Sequence, residues 1–316
     1  MLGIKQTKEL IAGVLRSQIT HRCYSIETGK SLSSTPSSLY SGAAVVFDID
    51  GVLIRGKNAI PQAVKALRIL DGENKLNKKI PFVTLTNGGG VTEAEKAAAV
   101  SKIIDYPDGL DKDDLPVDPN DGSMSDFNKE KIHAVMVFHD PRDYGRDLQI
   151  IYDVLKSKDG VIGNGYENSG KQSVPLYFSN SDLIWSTDFV SPRFGQGAFR
   201  ACLETLWDKT NGDGGNKLER ILYGKPFKVQ YEYTENCINS IFNDNGNGRN
   251  VYAIGDNPLS DIDGAHNYGW KSVLVRTGVY SDQTKHKYLN SNPTAIVDDV
   301  EQAVQWIVDQ EVSRVD

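Results

Sequence analysis

One short stretch constrains the fold of this chain more than any other. It is the apolar run 43–47, which ends in Asp48-Ile49-Asp50-Gly51. A run of five apolar residues is too short for a stable helix and is typical of a buried parallel strand. Asp48 and Asp50 are two residues apart, so they can share a face, and ligands of open α/β sheets bind at such strand ends. Taken alone, the stretch fits a binding site and an ordinary Asp-Gly turn equally well.

Segments with strand and helix patterns alternate along the rest of the chain. The predicted strands are residues 80–85, 132–138, 174–178, 218–222, 251–254, 270–275 and 295–297. The predicted helices begin at Pro61 and continue with residues 92–104, 147–156, 199–209 and 229–242. This alternation predicts an α/β fold with a parallel sheet and crossover helices. The glycine-bounded segment 51–57 is predicted to form a hairpin or flap over the end of the first strand.

Polar side chains follow four of the predicted strands. They are Asp48 and Asp50, Thr86 with Asn87, Lys225, and Asp256 with Asp261. Because the carboxyl ends of parallel strands meet at one edge of a sheet, these side chains are expected to lie together. Each also has an ordinary alternative, such as a surface lysine before a proline for Lys225 or a helix N-cap for Asp261.

In this order, the residues resemble the four motifs of the haloacid dehalogenase (HAD) superfamily, most of whose members are Mg²⁺-dependent phosphatases. Asp48-Ile49-Asp50-Gly51-Val52 resembles the first motif, Thr86 the second, Lys225 the third, and Gly255-Asp256 with Asp261 the fourth. The resemblance covers about residues 43–300. It implies an α/β fold whose core is a HAD-like Rossmannoid parallel sheet.

The resemblance also implies catalytic and metal-binding roles. Asp48 would be the nucleophile that forms an aspartyl phosphate, and Asp50 would act as general acid and then general base. Mg²⁺, which prefers oxygen ligands, would be bound by Asp48, Asp256 and the backbone carbonyl of Asp50.

Further residues would bind the phosphate and the substrate. The phosphate-binding set implied by the resemblance is Gly51, Thr86, Asn87, Gly88 and Lys225, with Lys225 neutralising charge on the phosphoryl oxygens. Asn257 and Asp261 would support Lys225 and the metal site from behind. Asn180 and Asp182 are expected to contact the substrate from the inserted domain.

The insert is predicted to follow the second motif, since 36 positions separate Asp50 from Thr86 but 139 separate Thr86 from Lys225. In the superfamily, an insert at this place is a type-two cap that covers the site and selects the substrate. The predicted layout is a presequence and linker at 1–40, core at 41–95, cap at 96–212 and core at 213–316.

Residues 105–130 are acidic and aperiodic, as in a surface loop or disordered insert. They replace a strand and an αβ unit of family caps, so the cap is predicted to be truncated.

A narrower resemblance is to subfamily IIA and, within it, to the mitochondrial group related to the cat eye syndrome critical region protein. It rests on the stretches 85–90, 178–180, 193–199, 224–226 and 255–257. The first 40 residues agree with it, because basic residues alternate with apolar ones in the manner of a mitochondrial transit peptide. Glu9 and Glu27 favour the alternative, an ordinary first helix of the domain.

These observations predict a hydrolase of the mitochondrial matrix that removes phosphate from a small phosphorylated metabolite, such as glycerol phosphate or a sugar phosphate. The alternative is a catalytically weak binding or scaffold protein on the same fold. A dehalogenase is disfavoured, because it would need neither Asp50 as an acid nor a metal ion.

The net charge of -7 argues against a nucleic-acid partner, and no apolar run reaches the ~18 residues of a membrane span. The resemblance also allows a homodimer that pairs through the cap.

Overall fold

The computed structural model describes residues 41–88, 131–166, 170–212, 215–242, 248–288 and 290–315. The predicted presequence 1–40, the predicted helix 92–104 and the acidic segment 105–130 lie outside the described residues. None of the helices in the described ranges is long and apolar enough to cross a membrane.

The described ranges contain fourteen strands and six α-helices. The strands are β1 (Ala43–Phe47), β2 (Ile54–Arg55), β3 (Asn58–Ala59), β4 (Phe82–Thr84), β5 (Val135–Val137), β6 (Ser157–Lys158), β7 (Val161–Tyr166), β8 (Leu176–Phe178), β9 (Ile184–Trp185), β10 (Arg193–Phe194), β11 (Ile221–Leu222), β12 (Asn250–Gly255), β13 (Lys271–Val275) and β14 (Ala295–Val297). The helices are α1 (Pro61–Leu70), α2 (Tyr144–Lys156), α3 (Gln196–Asn211), α4 (Lys228–Phe242), α5 (Asp263–Tyr268) and α6 (Val300–Val315). A π-helical turn, Pro258–Ile262, precedes α5, and a 3₁₀ turn covers Lys285–Tyr288.

The main sheet has five parallel strands in the order β14-β13-β12-β1-β4. All five residues of β1 are buried, as expected for a strand with helices on both faces. Val45 and Phe47 pack in the cluster that includes residues of α1 and α6, while Ala44 and Val46 pack on the other face with α4. The predicted parallel sheet is therefore confirmed, with β1 between β12 and β4.

The segment after β1 turns back as a short hairpin. β2 and β3 pair in antiparallel fashion, with Ile54 opposite Ala59, and Gly51 N donates a hydrogen bond of 2.7 Å to Ile54 O. The predicted hairpin over the end of the first strand is confirmed. It leads into α1, which begins with Pro61, a residue suited to the first turn of a helix.

A second, smaller unit is built on a three-stranded parallel sheet in the order β11-β8-β5. Leu176 and Phe178 of β8 pack against Phe199, Leu203 and Trp207 of α3, with α2 alongside. This unit, residues 131–222 in the described ranges, is called the cap below.

The pairing of β11 corrects one expectation. Lys225 was predicted to follow a strand of the same sheet as Asp48, but the strand before it is β11, which pairs with β8 of the cap. A strand of two residues has too few apolar positions to show which sheet it joins. The hairpins β6–β7 and β9–β10 and the C-terminal helix α6 were not predicted.

Candidate active site

A cavity of about 420 Å³ lies between the carboxyl ends of β1, β4 and β12 and the cap. The predicted site residues that line it are Asp48, Asp50, Thr86, Asn87, Gly88, Asp256, Asn257 and Asp261 from the loops of the main sheet, and Lys225 from the loop after β11. The structure thus brings together the residues that follow the predicted strand ends. Gly51 is buried below this group and packs on Asp256.

Lys225 lies at the centre of the cluster and is only 3% exposed. Its Nζ donates hydrogen bonds of 2.6 Å to Asp48 Oδ1 and of 2.6 Å to Asp261 Oδ1. Burial by itself lowers the pKa of a lysine, but here the neighbouring carboxylates, Asp261 foremost, raise the pKa of Lys225 well above its usual value. Lys225 is therefore a fixed positive charge that joins the end of β1 to the turn after β12.

Three carboxylates surround this lysine. One ligand atom from each of Asp48, Asp256 and Asp261 lies within 4.8 Å of the others. Burial raises the pKa of Asp48 to about 7, although the charge of Lys225 acts in the opposite direction. Burial and the charge of Asp48 raise the pKa of Asp256 well above its usual value. With all three carboxyl groups ionised, the cluster would carry more negative than positive charge, and a bound cation would restore the balance.

Hydrogen bonds distinguish the three carboxylates. Both oxygens of Asp261 are engaged, Oδ1 by Lys225 and Oδ2 by the backbone N–H of Asn257 at 3.0 Å. Within the described residues, the hydrogen bonds to the side chains of Asp48 and Asp256 involve one oxygen each. Carboxylate oxygens are suitable ligands for Mg²⁺, so Asp48 and Asp256 fit the predicted metal ion.

The loop around Asp256 depends on a close approach of glycine. Val279 N donates to Asp256 Oδ2 at 2.6 Å and holds the carboxylate against the core. Gly51 has φ +89°, and a Cβ at this position would lie 2.5 Å from Asp256 Oδ2. A side chain at Gly51 would therefore be strained and would displace Asp256. Asp50, the residue before it, is half-buried and lines the cavity.

The loop after β4 faces the same cavity. Thr86 Oγ1 accepts a hydrogen bond of 3.0 Å from Gly88 N. The side chain of Asn87 points toward Lys225: its Oδ1 accepts from Lys225 N at 2.7 Å, and its Nδ2 donates to Lys225 O at 3.2 Å. Asn87 thus contributes its side chain to the position of the lysine loop.

The cap supplies the remaining wall of the cavity. Asn180 and Asp182, predicted from the sequence, both line it. Cap residues that were not predicted as site residues also line it, among them His139, Arg142, Trp185, Arg193 and Phe194. They lie in short strands and loops without periodicity. The available indications were the position of His139 after a predicted strand and the stretch 193–199, on which the narrower resemblance rests.

Two family models match parts of this chain. A model of the family described as haloacid dehalogenase-like hydrolase matches residues 45–137, and a HAD-hydrolase-like model matches residues 222–303. The mitochondrial hydrolase YKR070W of Saccharomyces cerevisiae is 32% identical over 340 residues, which include 83% of this chain and 94% of that protein. The chain belongs to the haloacid dehalogenase-like hydrolases.

One further relative and one solved structure are similar to this chain. A cardiolipin synthase (CMP-forming) / mitochondrial hydrolase fusion protein of Schizosaccharomyces pombe is 31% identical over 342 residues, with 89% of this chain aligned. This chain spans only 55% of that fusion protein. Among solved structures, a possible sugar phosphatase of the HAD superfamily from Cytophaga hutchinsonii has a TM-score of 0.54 at 17% identity, covering 86% of this chain and 97% of that one. The predicted superfamily and fold are confirmed.

Proposed function

We propose that this protein is a Mg²⁺-dependent phosphomonoester hydrolase that acts through an aspartyl phosphate on Asp48. The observation that carries the proposal is the buried network in which Lys225 binds both Asp48 and Asp261, with Asp256 beside them, at the closed end of the cavity. A carboxylate nucleophile, a fixed cation and a second carboxylate in one cavity are the groups that phosphoryl transfer requires.

The reaction needs one nucleophile and one proton carrier. An oxygen of the Asp48 carboxylate attacks phosphorus, and the P–O bond to the substrate alcohol breaks. Asp50, in the same cavity, gives its proton to the leaving alkoxide and then takes a proton from the attacking water. That water releases inorganic phosphate and regenerates the carboxylate of Asp48.

Asp48 and Asp256 would hold the Mg²⁺ ion, together with the backbone carbonyl of Asp50. When bound, the ion would offset the repulsion between the anionic nucleophile and the phosphate dianion. Asp261 has both oxygens engaged in hydrogen bonds, which supports its role as a partner of Lys225 rather than as a ligand. Phosphoryl oxygens would be bound by Thr86, the backbone amides of the loop after β4, and Lys225.

The cavity favours a small substrate. Its volume of about 420 Å³ accommodates a phosphorylated metabolite, such as a sugar phosphate or glycerol phosphate. Arg142 and Arg193 bring positive charge to the outer wall, and Trp185 and Phe194 bring aromatic surface. A structural neighbour titled a possible sugar phosphatase is consistent with this class. Direct contact of Asn180 or Asp182 with substrate stays a prediction.

The location of the reaction is proposed to be the mitochondrial matrix. Two relatives with 31–32% identity carry the words mitochondrial hydrolase in their names. The transit-peptide pattern predicted for residues 1–40 agrees with them. Association into a homodimer through the cap stays a prediction as well.

Phosphate release from a panel of phosphomonoesters tests the proposal. The wild-type protein is compared, with Mg²⁺ and with EDTA, with Asp48→Asn and with the control Asp208→Asn, which changes an exposed acid on the cap helix α3. We expect release that needs Mg²⁺, is lost in Asp48→Asn by about 10⁴-fold or more, and is unchanged in the control.

The same panel decides the alternative. The alternative, a catalytically weak binding or scaffold protein on the same fold, is motivated by the predicted truncation of the cap at residues 105–130. Folded protein that binds Mg²⁺ but releases no phosphate from any ester would support that alternative.

A further inference from the structure

Asp182 connects the cap to two separate loops of the main domain. It lies on the loop between β8 and β9, and its side chain lines the cavity. Its Oδ2 accepts a hydrogen bond of 2.9 Å from Asn87 Nδ2, and its Oδ1 accepts one of 3.4 Å from Asn257 Nδ2. Asn87 follows β4 and Asn257 follows β12, so a single carboxylate joins three chain segments.

The cap holds Asp182 firmly from its own side. Asp182 N donates to Asn180 Oδ1 at 2.7 Å, and Asp182 O accepts from Gly197 N at 2.9 Å. Asn180 N in turn donates to Oε1 of Gln196, which is 1% exposed in the first turn of α3. The backbone of the Asp182 loop is therefore tied to a buried helix start.

On the side of the main domain, both asparagines form hydrogen bonds with the charged network, which is Lys225 with its partners Asp48 and Asp261. Asn87 Oδ1 accepts from Lys225 N, and Asn257 N donates to Asp261 Oδ2. The packing is close: at Gly224, which has φ +83°, a Cβ would lie 2.8 Å from Asn87 Oδ1. Asp182 is thus linked through the Asn87 side chain to the backbone of Lys225, and through Asn257, whose backbone N–H makes the second bond, to Asp261.

We infer that Asp182 is a positioning residue, which orients the side chain of Asn87 and the segment of Asn257 and, through them, the backbone of Lys225 and the carboxylate of Asp261. Both of its oxygens accept hydrogen bonds from amide groups of the protein, so the carboxylate has partners within the chain itself. The inference rests on the proposed function, because it assigns Asp182 a part in that same reaction.

Kinetics separates positioning from substrate contact. Asp182→Ala and Asp182→Asn are compared with Asp208→Asn, the same change of charge on an exposed cap residue, using 4-nitrophenyl phosphate and a bulkier phosphomonoester. We expect kcat to fall about 10- to 100-fold in Asp182→Ala, equally for both substrates, with KM changed by less than about threefold. Asp182→Asn keeps one acceptor oxygen and should lose less. A rise in KM that differs between the substrates would overturn the inference, as would an unchanged kcat with only a lowered Tm.

Amide hydrogen exchange gives a readout that needs no turnover. Lys225 N donates a hydrogen bond to Asn87 Oδ1. Asp182→Ala removes the hydrogen bond between Asn87 Nδ2 and Asp182, so exchange at the Lys225 amide should become about tenfold faster. The control Asp208→Asn should exchange as wild type does. If the wild-type protein releases no phosphate, the proposed function fails, yet this measurement still decides the inference. Wild-type exchange at Lys225 in both Asp182 variants would refute it.

Discussion

The two ends of the cavity differ in burial and in the number of bonds that fix their side chains. The cavity floor, formed by Asp48, Lys225, Asp256 and Asp261, is at most 9% exposed, and every member is held by hydrogen bonds. The cavity wall, which we define as His139, Arg142, Trp185, Arg193 and Phe194, belongs to the cap and is more open. Phe194, for example, is 72% exposed.

This difference separates the chemistry of the site from its selectivity. On the floor, a change in one charged group leaves another buried charge without its partner, so substitutions there are costly. On the wall, an exposed side chain can be replaced with little effect on the packing around it. The floor should therefore determine which reaction occurs, and the wall should determine which alcohol is accepted.

The largest effect is expected from Lys225→Met, which removes the central charge of the floor and retains a chain of similar length. Asp48 and Asp261 would then face each other without a cation, and the charge on the transferring phosphoryl group would lose its partner. We expect kcat/KM to fall about 10³-fold, measured as phosphate release with Mg²⁺. Lys225→Arg should also be severely impaired, because a 3% exposed site has no room for a guanidinium. Undiminished turnover in Lys225→Arg would contradict the assignment of the floor.

The second effect concerns pH and the metal ion. Burial raises the pKa of Asp48 from 3.8 to about 7 in the metal-free protein, so protons compete with Mg²⁺ for this carboxylate. Mg²⁺ should consequently bind about tenfold more weakly at pH 6 than at pH 8, with proton release on binding. Titration calorimetry in two buffers that differ in ionisation enthalpy measures both quantities. Equal affinities at the two pH values would argue against Asp48 as a ligand.

The same pKa has a consequence for stability. A carboxyl whose pKa is higher in the folded than in the unfolded protein favours folding while it is protonated. The contribution of Asp48 to the stability of the metal-free protein is therefore full below about pH 4 and is lost as pH rises through about 7. Added Mg²⁺ should oppose this loss at pH 8. Thermal melts with and without Mg²⁺, repeated on Asp48→Asn, isolate the contribution of this group.

A smaller effect is expected at the wall. Phe194→Ala should leave kcat for 4-nitrophenyl phosphate nearly unchanged and should alter KM by about three- to tenfold, by amounts that differ among substrates. Leu206→Ala provides the control, because Leu206 is a 43% exposed apolar residue of the cap helix α3 that does not line the cavity. A uniform loss of kcat in Phe194→Ala would show that wall and floor are not separable.

The smallest effect is expected at an exposed ion pair, which separates the influence of burial from that of the distance between the charges. Lys75 Nζ lies 2.7 Å from Asp309 Oδ1, about the same separation as between Lys225 and Asp48, but both side chains are largely exposed. Lys75→Ala should change the free energy of unfolding by less than about 1 kcal/mol, because water and salt screen exposed ion pairs. Denaturant melts of this variant and of Lys225→Met make the comparison. Similar losses in the two variants would show that burial is not what distinguishes the floor.

Much of the fold could be predicted from local pattern alone. The apolar run ending at Asp48, the alternation of strands and helices, and the polar residues at strand ends are all properties of short segments. Parallel strands place their carboxyl ends at one edge, so Asp48, Asp256 and Asp261 could be expected to meet before their distances were known. The hairpin after β1 followed in the same way from its two glycines.

The tertiary structure alone decided the features that depend on contacts between segments far apart in the chain. The sheet to which β11 belongs depends on its neighbour β8, not on its two residues. The partners of Asp182 lie 95 and 75 positions away, in Asn87 and Asn257, so nothing beside it in the sequence distinguishes it from a substrate-binding acid. The cavity wall is likewise assembled from loops without period. Local sequence determined which groups stand at the strand ends, and the packing of cap on core determined what those groups touch.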